Sequence, residues 1–287
     1  MTTTADATTT AHDTDPEATD AVHATAATFT GRWEAWHAEH ERALAAPHGF
    51  LAVTGLHWLG AAPQRFDGVP GTWRTGAGGA VVVLDPGEAL AVDGVPVTGE
   101  HAFADIPERG GLRATYGDTV LEVAKRGGRV ILRPRHPDHP LRTAFHGTPA
   151  FAPDPRWVVQ GRYVAFDRPR PTTVGAAVEG LEHVYDALGA VHFTLDGQDL
   201  SLTAFGGYDH RLLLLFTDAT SGVTTYAANR VLLLDPPGPD AAVTLDFNRA
   251  TNLPCAYTPF ATCPLPPAEN RLPVPIEAGE QIPHERP

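Results

Sequence analysis

The chain has 287 residues, of which 43% are hydrophobic, and a formal net charge of -13. An acidic surface repels the phosphates of nucleic acids and anionic membranes, so neither is a predicted partner. No apolar run reaches the roughly 18 residues of a membrane-spanning helix, and the length suits one large β domain or two smaller domains.

The first thirty residues are rich in Thr, Ala and Asp and contain no Lys or Arg. They also lack a continuous apolar segment, so they do not resemble a secretory signal, and we expect a cytoplasmic protein. Such a stretch buries too little apolar surface to offset the entropy lost on ordering. Residues 1–30 are therefore predicted to be a disordered acidic tail.

One helix is predicted, over Gly31 to Ala46, because Trp33, Trp36 and His40 recur at three- and four-residue spacing. A Pro-His-Gly sequence follows and ends the helix. His37 and His40 could act as ligands, but a histidine on a helix is more often a surface or core residue. Neither is assigned to the predicted site.

Short β-branched runs separated by glycine turns predict a series of strands from residue 79 onward. Hairpins are expected at Asp93-Gly94, Gly127-Gly128 and Asp196-Gly197, since these residues tolerate positive φ. The predicted strands are Val81–Leu84, Leu90–Val92, Thr119–Ala124, Val130–Arg133, Trp157–Phe166, Thr172–Val178, Val191–Leu195, Leu200–Phe205, Leu212–Phe216, Val223–Ala227, Arg230–Leu234 and Val243–Phe247.

With one helix and many strands, an antiparallel β-sandwich or open barrel is favoured over a parallel βαβ fold. Proline, histidine and aspartate accumulate between Pro134 and Pro155, where periodicity disappears. We place a boundary there, between a helix with a smaller β unit over 31–140 and a larger β unit over 141–287.

The last segment contains seven prolines between Pro254 and Pro275, which exclude regular structure and predict a long loop. Its content of Cys, Tyr, Asn and Phe favours an ordered loop that packs on the body. All four asparagines of the chain and both cysteines lie in the last sixty residues. In the preceding strand, period-two alternation puts Asp246 and Asn248 on one face.

The run LDFNRATNLPCAYTPFATCPLPPAENRLPVPIEAGE, from Leu245 to Glu280, resembles the C-terminal signature of the bacterial domain-of-unknown-function family 1684. VTGLHWL at 53–59, FHGTPAF at 145–151 and FTDATSGVTTYAANR at 216–230 are similar to the same family. The chain departs from the pattern at Thr251, at Leu253 and before Arg230. The resemblance implies a fold and a site location, and it implies no activity.

The two cysteines, Cys255 and Cys263, are eight residues apart, outside the spacing of common zinc knuckles. Buried structural thiols, a disulfide or redox pair, one catalytic thiol and a metal site all stay open. A catalytic Cys255 needs a nearby base, and His57 is the candidate in sequence. His57 could equally be a hydrogen-bonded core residue.

A small-molecule pocket is predicted where the C-terminal segment covers the second β unit. The predicted catalytic residues are Asp246, His57 and Cys255, and the predicted substrate-binding residues are Asn248, Asn252, Arg230, Tyr226, Tyr257 and Asn270. Arg230 could bind a carboxylate or pair with Asp246 or Asp218. Glu277 and Glu280 could act as acids or bases if buried, whereas exposed glutamates are usually only solvated.

The leading interpretation is a small-molecule-binding protein that acts as a metal-independent hydrolase or lyase. The sequence has no G-x-S-x-G, P-loop, HExxH or dinucleotide-binding glycine pattern, and no cofactor or metal is predicted. One alternative is a non-catalytic latch, in which the proline-rich segment covers sheet edges or a dimer partner. A metal or redox role of the cysteine pair is a second alternative, and homo-oligomerisation is left open.

Overall fold

Antiparallel sheets make up most of the computed structural model, which describes residues 16–77 and 79–284. Strands outnumber helices in this range, so the fold is mainly β, as the sequence predicted. Helix α1 spans Pro16–Leu44 and the short helix α2 spans Pro140–Thr143. None of the helices in these ranges is both long and apolar enough to cross a bilayer.

Helix α1 begins at Pro16 rather than at Gly31, so the predicted helix start was too late. The first half of the predicted disordered tail, residues 1–15, lies outside the described residues, and its second half is helical. From Trp33 onward the helix has one half-buried face, formed by residues 33, 36, 37, 40, 41 and 44. This spacing of three and four residues is the one that predicted the helix.

The N-terminal unit consists of ten short strands. Their bounds are β1 His57–Trp58, β2 Gln64–Phe66, β3 Val69–Gly76, β4 Gly79–Val83, β5 Leu90–Val92, β6 Val95–Val97, β7 Glu100–Ala102, β8 Gly111–Tyr116, β9 Thr119–Arg126 and β10 Arg129–Arg135. They form a sheet of order β2-β3-β4-β7 and a sheet of order β1-β10-β9-β8-β5-β6. One apolar core shared by both sheets, with Trp73, Phe103 and Leu121, makes this unit a sandwich.

Strands β1, β2, β3, β6, β7 and β8 were missed by the sequence pattern. They are short or contain glycine and proline, so β propensity alone does not mark them. Gly71 in β3 has a φ of 81°, and a Cβ at this position would lie 2.5 Å from Cγ2 of Val82. Glycine lowers the β propensity of this segment, which is why the sequence pattern missed β3. Close packing of β3 on β4 nevertheless requires glycine here, because there is no room for a Cβ.

Six strands form the second unit: β11 Val158–Gly175, β12 Glu182–Leu195, β13 Gln198–Gly206, β14 Leu212–Phe216, β15 Arg230–Leu234 and β16 Ala242–Asp246. Their order is β15-β14-β13-β12-β11-β16, and all neighbours are antiparallel. A bridge between Val231 and Thr251 brings the two edges of this sheet toward each other. The second unit is therefore a half-barrel.

All three predicted hairpins are confirmed, because Val92 pairs with Val95, Arg126 with Arg129 and Leu195 with Gln198. Two other strand predictions were wrong. The strands predicted over 157–166 and 172–178 are one strand, β11, with a register shift between Ala165 and Arg170. The strand predicted over 223–227 is part of a turn, in which Thr220 and Thr225 join their buried hydroxyls at 2.8 Å.

The C-terminal segment fills the open side of the half-barrel, so the expectation of an ordered, packed loop is confirmed. Leu272, Val274, Ile276 and Ala278 are all buried in the core of the half-barrel. Their spacing of two residues shows extended backbone, although the intervening prolines prevent a regular strand. The segment then continues to Glu280, next to helix α1.

Candidate functional site

Arg230 ties the C-terminal segment to the half-barrel. Its guanidinium is fully buried, donates to the Asp218 carboxylate at 2.7 Å and donates to the carbonyl of Ile276 at 2.9 Å and to that of Ala278. Burial lowers the pKa of Arg230, and the charge of Asp218 partly compensates. Of the two sequence hypotheses for this residue, the structure shows the ion pair with Asp218.

Asn270 makes three side-chain hydrogen bonds to the backbone of the half-barrel. Its Oδ1 accepts from the amide of Thr203 at 2.7 Å, and its Nδ2 donates to the carbonyls of Thr203 at 2.9 Å and Leu215 at 2.8 Å. The side chain is fully buried. Each of its polar groups is therefore already bonded to the protein.

Asp246 and Asn248 lie together at the end of β16. The strand ends at Asp246, which caps a short 3-10 turn over Phe247–Arg249, so this turn and not strand alternation brings the two side chains together. Oδ1 of Asp246 accepts from Nδ2 of Asn248 at 2.9 Å, and Arg249 forms an ion pair with Oδ2 at 3.3 Å. Asn248 also exchanges two hydrogen bonds with the backbone of Asp154, at 2.9 and 3.0 Å. The contacts of this pair hold the chain entering β11 against the chain leaving β16.

Both cysteines are buried and reduced in a third apolar cluster. The amide of Cys255 donates to Sγ of Cys263 at 3.3 Å, and the hydroxyl of Tyr226 donates to the carbonyl of Cys255 at 2.9 Å. The interaction with the Cys255 side chain and burial raise the pKa of the Cys263 thiol, and the donating amide of Cys255 only partly opposes this effect. A raised pKa disfavours the thiolate that nucleophilic chemistry requires.

His57 lies in β1 of the N-terminal sandwich. It pairs with Leu132 of β10 and stacks on Phe66 at a centroid distance of 4.3 Å. Burial lowers the pKa of His57, and the charge of Asp67 opposes this effect. No contact in the described ranges joins His57, Asp246 and Cys255, the three residues predicted to be catalytic.

A different group of polar residues meets where helix α1 contacts the end of the C-terminal segment. We call it the His–Glu cluster, and it consists of His37, His40, Glu41, Thr148, Asn252, Tyr257 and Glu280. Asn252 and Tyr257 were predicted from sequence. His37, His40 and Glu280 were considered there and not assigned to the site.

Glu280 is the centre of this cluster, and only 1% of its side chain is exposed. Its Oε2 accepts from the amide of Asn252 at 2.6 Å and from the hydroxyl of Tyr257 at 3.3 Å. Its Oε1 lies 3.1 Å from Nε2 of His40 and 3.8 Å from Nε2 of His37. Oε1 has no hydrogen bond of good geometry to any described residue. One carboxylate oxygen is thus fixed, and the other faces two imidazoles.

The second carboxylate of the cluster belongs to Glu41. Its Oε1 accepts from the amide of Thr148 at 2.6 Å and lies 4.0 Å from Nε2 of His37. The hydroxyl of Thr148 is 2.9 Å from that of Tyr257, so Thr148 connects the two carboxylates. Nε2 of His37 and Oδ1 of Asn252 are also buried without a hydrogen bond to the described residues.

The electrostatics of the cluster favour a charged imidazole beside the buried carboxylate. Burial lowers the pKa of His40, but the close contact with the Glu280 carboxylate and the charges of Glu280 and Glu41 outweigh burial and raise the pKa above its usual value. Burial and the charge of Glu280 raise the pKa of Tyr257, so its phenol stays protonated. The side chain of His40 is 29% exposed and therefore reaches solvent.

Two aromatic residues orient the imidazoles from the same helix face. Trp33 stacks on His37 at a centroid distance of 4.7 Å, and Trp36 stacks on His40 at 5.8 Å. The indole of Trp33 donates to the carbonyl of Asn248 at 2.7 Å, which anchors the helix on the half-barrel. The pattern His-x-x-His-Glu could have indicated this cluster from the sequence, because residues three and four positions apart are neighbours on the same face of a helix.

No group of three or more His, Cys, Asp or Glu side chains in residues 16–77 and 79–284 is arranged to hold a metal ion. The chemistry that the cluster can perform with its own groups is proton transfer. A partly exposed imidazole, a buried carboxylate behind it and a protonated phenol are the components of an acid–base site.

The fold and this site define a mainly β protein whose N-terminal helix meets its C-terminal segment at a buried carboxylate–imidazole cluster. Residues 143–281 match the model of a family described as a protein of unknown function (DUF1684), and this part of the chain belongs to that family. The matched part includes Thr148, Asn252, Tyr257 and Glu280, and it does not include helix α1 or VTGLHWL at 53–59.

Among solved structures, the chain is similar to an uncharacterised protein of Haloarcula marismortui determined by solution NMR. The two are 32% identical, and the similarity covers 49% of this chain and 78% of that chain, with a TM-score of 0.42. A comparison with curated proteins finds no match.

Proposed function

We propose that the protein binds a small polar molecule and performs metal-independent acid–base chemistry on it at the His–Glu cluster, as a hydrolase or lyase. His40 is the general acid and base in this proposal, because it is the cluster imidazole with the larger exposed fraction. The Glu280 carboxylate lies next to His40 on the buried side and stabilises its imidazolium form. Hydrogen bonds from the hydroxyl of Tyr257 and the backbone amide of Asn252 hold Glu280 in place.

The chemistry needs only groups that the cluster contains. In hydrolysis, His40 takes a proton from water as that water attacks, and the imidazolium then returns the proton to the leaving group. In elimination, His40 takes the proton from a substrate carbon, the C–H electrons form a double bond to the neighbouring carbon, and the leaving group departs from that carbon with its bonding electrons. In both cases the buried carboxylate favours the charged imidazole, since opposite charges interact more strongly away from water.

The observation that carries this proposal is the position of Oε1 of Glu280. A buried carboxylate is costly unless it is paired and hydrogen-bonded, yet among the described residues this oxygen has an imidazole at 3.1 Å and no well-aligned donor. A purely structural carboxylate would be expected to use both oxygens. A buried polar atom without a hydrogen bond needs an explanation, and a catalytic role supplies one.

Histidine NMR together with activity assays tests the proposal. Imidazole signals followed from about pH 5 to about pH 9 should show a raised midpoint for His40, and Glu280→Gln should lower it. Chromogenic esters, amides and phosphate esters serve as the hydrolase substrates, and α-hydroxy and α-amino acids as the lyase substrates. For any substrate that is turned over, His40→Gln should reduce kcat about 100-fold or more.

The matched control is His192→Gln, which removes an exposed histidine of β12. It should leave both the His40 midpoint and kcat unchanged. If His40 titrates at the same pH in the wild type and in Glu280→Gln, then Glu280 does not interact with His40 and the proposed acid–base pair is wrong. Equal activity of His40→Gln and wild type would show that chemistry occurs elsewhere.

A second function, a structural latch, is supported by a separate observation. Arg230, Asn248 and Asn270 direct their side chains to backbone groups of neighbouring segments, which is how a latch would hold the half-barrel closed. The latch predicts a large loss of thermal stability for Asn270→Ala and no effect of any ligand on melting. A ligand-induced rise in Tm that His40→Gln abolishes would favour the acid–base site instead.

A further inference from the structure

A cavity of about 340 Å³ opens at one end of the N-terminal sandwich and shares no lining residue with the His–Glu cluster. Its volume is within the range of small-molecule sites, roughly 300 to 1,000 Å³. Apolar side chains and charged side chains line different parts of it. Leu59, Ile106 and Val130 form the apolar part, and Asp105, Lys125 and Arg129 carry the charges.

The apolar part of the cavity is the end of the sandwich core. Leu59, Ile106 and Val130 belong to the cluster of buried residues that both sheets share. They are 6%, 2% and 8% exposed, so little of their surface contacts solvent, and what remains faces the cavity. An apolar group placed here would continue the packing of the core.

Lys125 is the one lysine of the chain, and strand β9 brings it to this cavity. Leu121 and Val123 point into the core, and alternation along the strand puts Lys125 on the same side. Its Nζ lies 3.9 Å from Oδ1 of Asp105, and the side chain of Asp105 is 78% exposed. An ion pair this long and this exposed contributes little to stability, so the ammonium of Lys125 can bind another anion at little cost.

A second positive charge lies at the rim. The guanidinium of Arg129 stacks over Trp58, 4.2 Å from the ring centroid. An aromatic ring does not neutralise the positive charge of Arg129 as a carboxylate would. The nearby carboxylate of Glu108 accepts from the amides of Gly127 and Gly128, at 2.7 and 2.8 Å, and does not line the cavity. Two cations and one exposed carboxylate therefore define the charge of the cavity.

From this arrangement we propose that the cavity binds a small organic anion, with its carboxylate at Lys125 and its short apolar body against Leu59, Ile106 and Val130. The charge of the ammonium selects an anion in a protein whose net charge is otherwise -13. The apolar end of the sandwich selects an organic anion over an inorganic one. The proposal does not depend on the function proposed for the His–Glu cluster.

Butanoate is a suitable probe, and n-butylammonium is its control of similar shape and opposite charge. Reductive methylation with ¹³C-formaldehyde labels Lys125 and the α-amino group and keeps both charges. Butanoate should shift the Lys125 signal saturably and leave the α-amino signal in place. Butylammonium should not shift it. No saturable shift with butanoate, or an equal shift with butylammonium, overturns the proposal.

Three variants locate the binding, with the amide signals of Thr75 and Gly128 as the readout because both residues line the cavity. Lys125→Gln should weaken butanoate binding about tenfold or more, since it removes a charged hydrogen bond. Asp105→Asn should strengthen binding slightly. Arg74→Gln removes a cation that pairs with Glu100 outside the cavity and should change nothing.

Unchanged affinity in Lys125→Gln would overturn the proposal even if butanoate bound to the wild type. Equal weakening by Arg74→Gln would also overturn it, because the effect would then come from overall charge and not from the cavity.

Discussion

The C-terminal segment places buried polar residues in two regions that differ in how completely those residues are bonded. Asn270 uses both atoms of its amide for three hydrogen bonds to the half-barrel. In the His–Glu cluster, Glu280, His37 and Asn252 each keep one buried polar atom without a well-aligned partner. Fully bonded groups stabilise a fold, whereas an unbonded buried atom costs stability and needs an explanation. Arg230 also keeps its buried Nε unbonded, but its other guanidinium nitrogens make three hydrogen bonds.

The largest loss of stability is expected from Arg230→Met. The substitution leaves the Asp218 carboxylate, which is 0% exposed, without its ion-pair partner and leaves the carbonyls of Ile276 and Ala278 without a donor. Breaking a buried pair in this way costs about 3 to 5 kcal/mol of unfolding free energy, measurable by urea denaturation. Arg211→Met, at an exposed pair with Asp209, is the control and should be nearly neutral. Equal stability of the two variants would contradict the role of Arg230 as a structural pin.

The next largest effect is expected at Glu122, a fully bonded carboxylate of the N-terminal unit. Burial raises its pKa, but the charges and hydrogen bonds of Arg133 and Arg135 outweigh burial and lower the pKa to about 2. Relative to the ordinary glutamate pKa of 4.5, this corresponds to about 3 kcal/mol. Because the folded-state pKa is depressed, the stabilisation is present above about pH 4.5 and disappears as the pH falls toward 2.

Glu122→Gln should therefore reduce stability at neutral pH by about 3 kcal/mol and flatten the acid limb of the stability curve. Glu100→Gln, at an exposed pair with Arg74, is the matched control. An acid limb as steep in Glu122→Gln as in the wild type would show that other carboxylates cause it.

Two asparagines of the C-terminal segment give the most direct test of the difference between the regions. Asn270→Ala should cost about 2 kcal/mol, because it leaves buried backbone groups of Thr203 and Leu215 unpaired. Asn252→Ala should cost under about 1 kcal/mol, since its side chain makes one bond, from Nδ2 to the carbonyl of Gln281 at 2.8 Å. If chemical denaturation shows the same loss of unfolding free energy for both variants, the two regions do not differ in how much their hydrogen bonds stabilise the fold.

The smallest change in stability is expected from His40→Gln, and it should depend on pH. Because the folded-state pKa of His40 is raised, its stabilisation is present below the unfolded-state pKa near 6.5 and is lost as the pH rises through the folded-state pKa. The variant should be less stable than the wild type by under about 1 kcal/mol at acidic pH and equally stable at alkaline pH. Parallel melting curves over the whole pH range would contradict the His40–Glu280 interaction.

Much of the fold could be predicted from local patterns. Runs of β-branched residues located most strands of the half-barrel, and the Asp-Gly and Gly-Gly turns located three hairpins. The prediction failed where local propensity was weak, as in β3, or where an apparent strand was a turn ordered by Thr220 and Thr225. In β3 packing on the neighbouring strand β4 decides the structure, and in the turn a buried hydrogen bond between two side chains decides it; propensity records neither.

The candidate site could be predicted only in part. Asn252 and Tyr257 were found because they lie in an unusual polar segment. His40 and Glu280 are 240 positions apart, and no local pattern indicates that a half-exposed helix histidine will meet a glutamate beyond the last strand. The predicted trio of Asp246, His57 and Cys255 was assembled from residue types alone, and their contacts lie in three different places.

Local patterns were enough to predict a mostly β chain with a packed proline-rich segment and a C-terminal part of family 1684, because strand periodicity, turn residues and a long motif are local properties. Which polar residues are bonded to backbone, and which keep an unpaired atom, follows from the folded arrangement alone. That distinction depends on distances between segments far apart in the chain, and the burial that makes Glu280 and His40 interact strongly arises only when helix and C-terminal segment pack together.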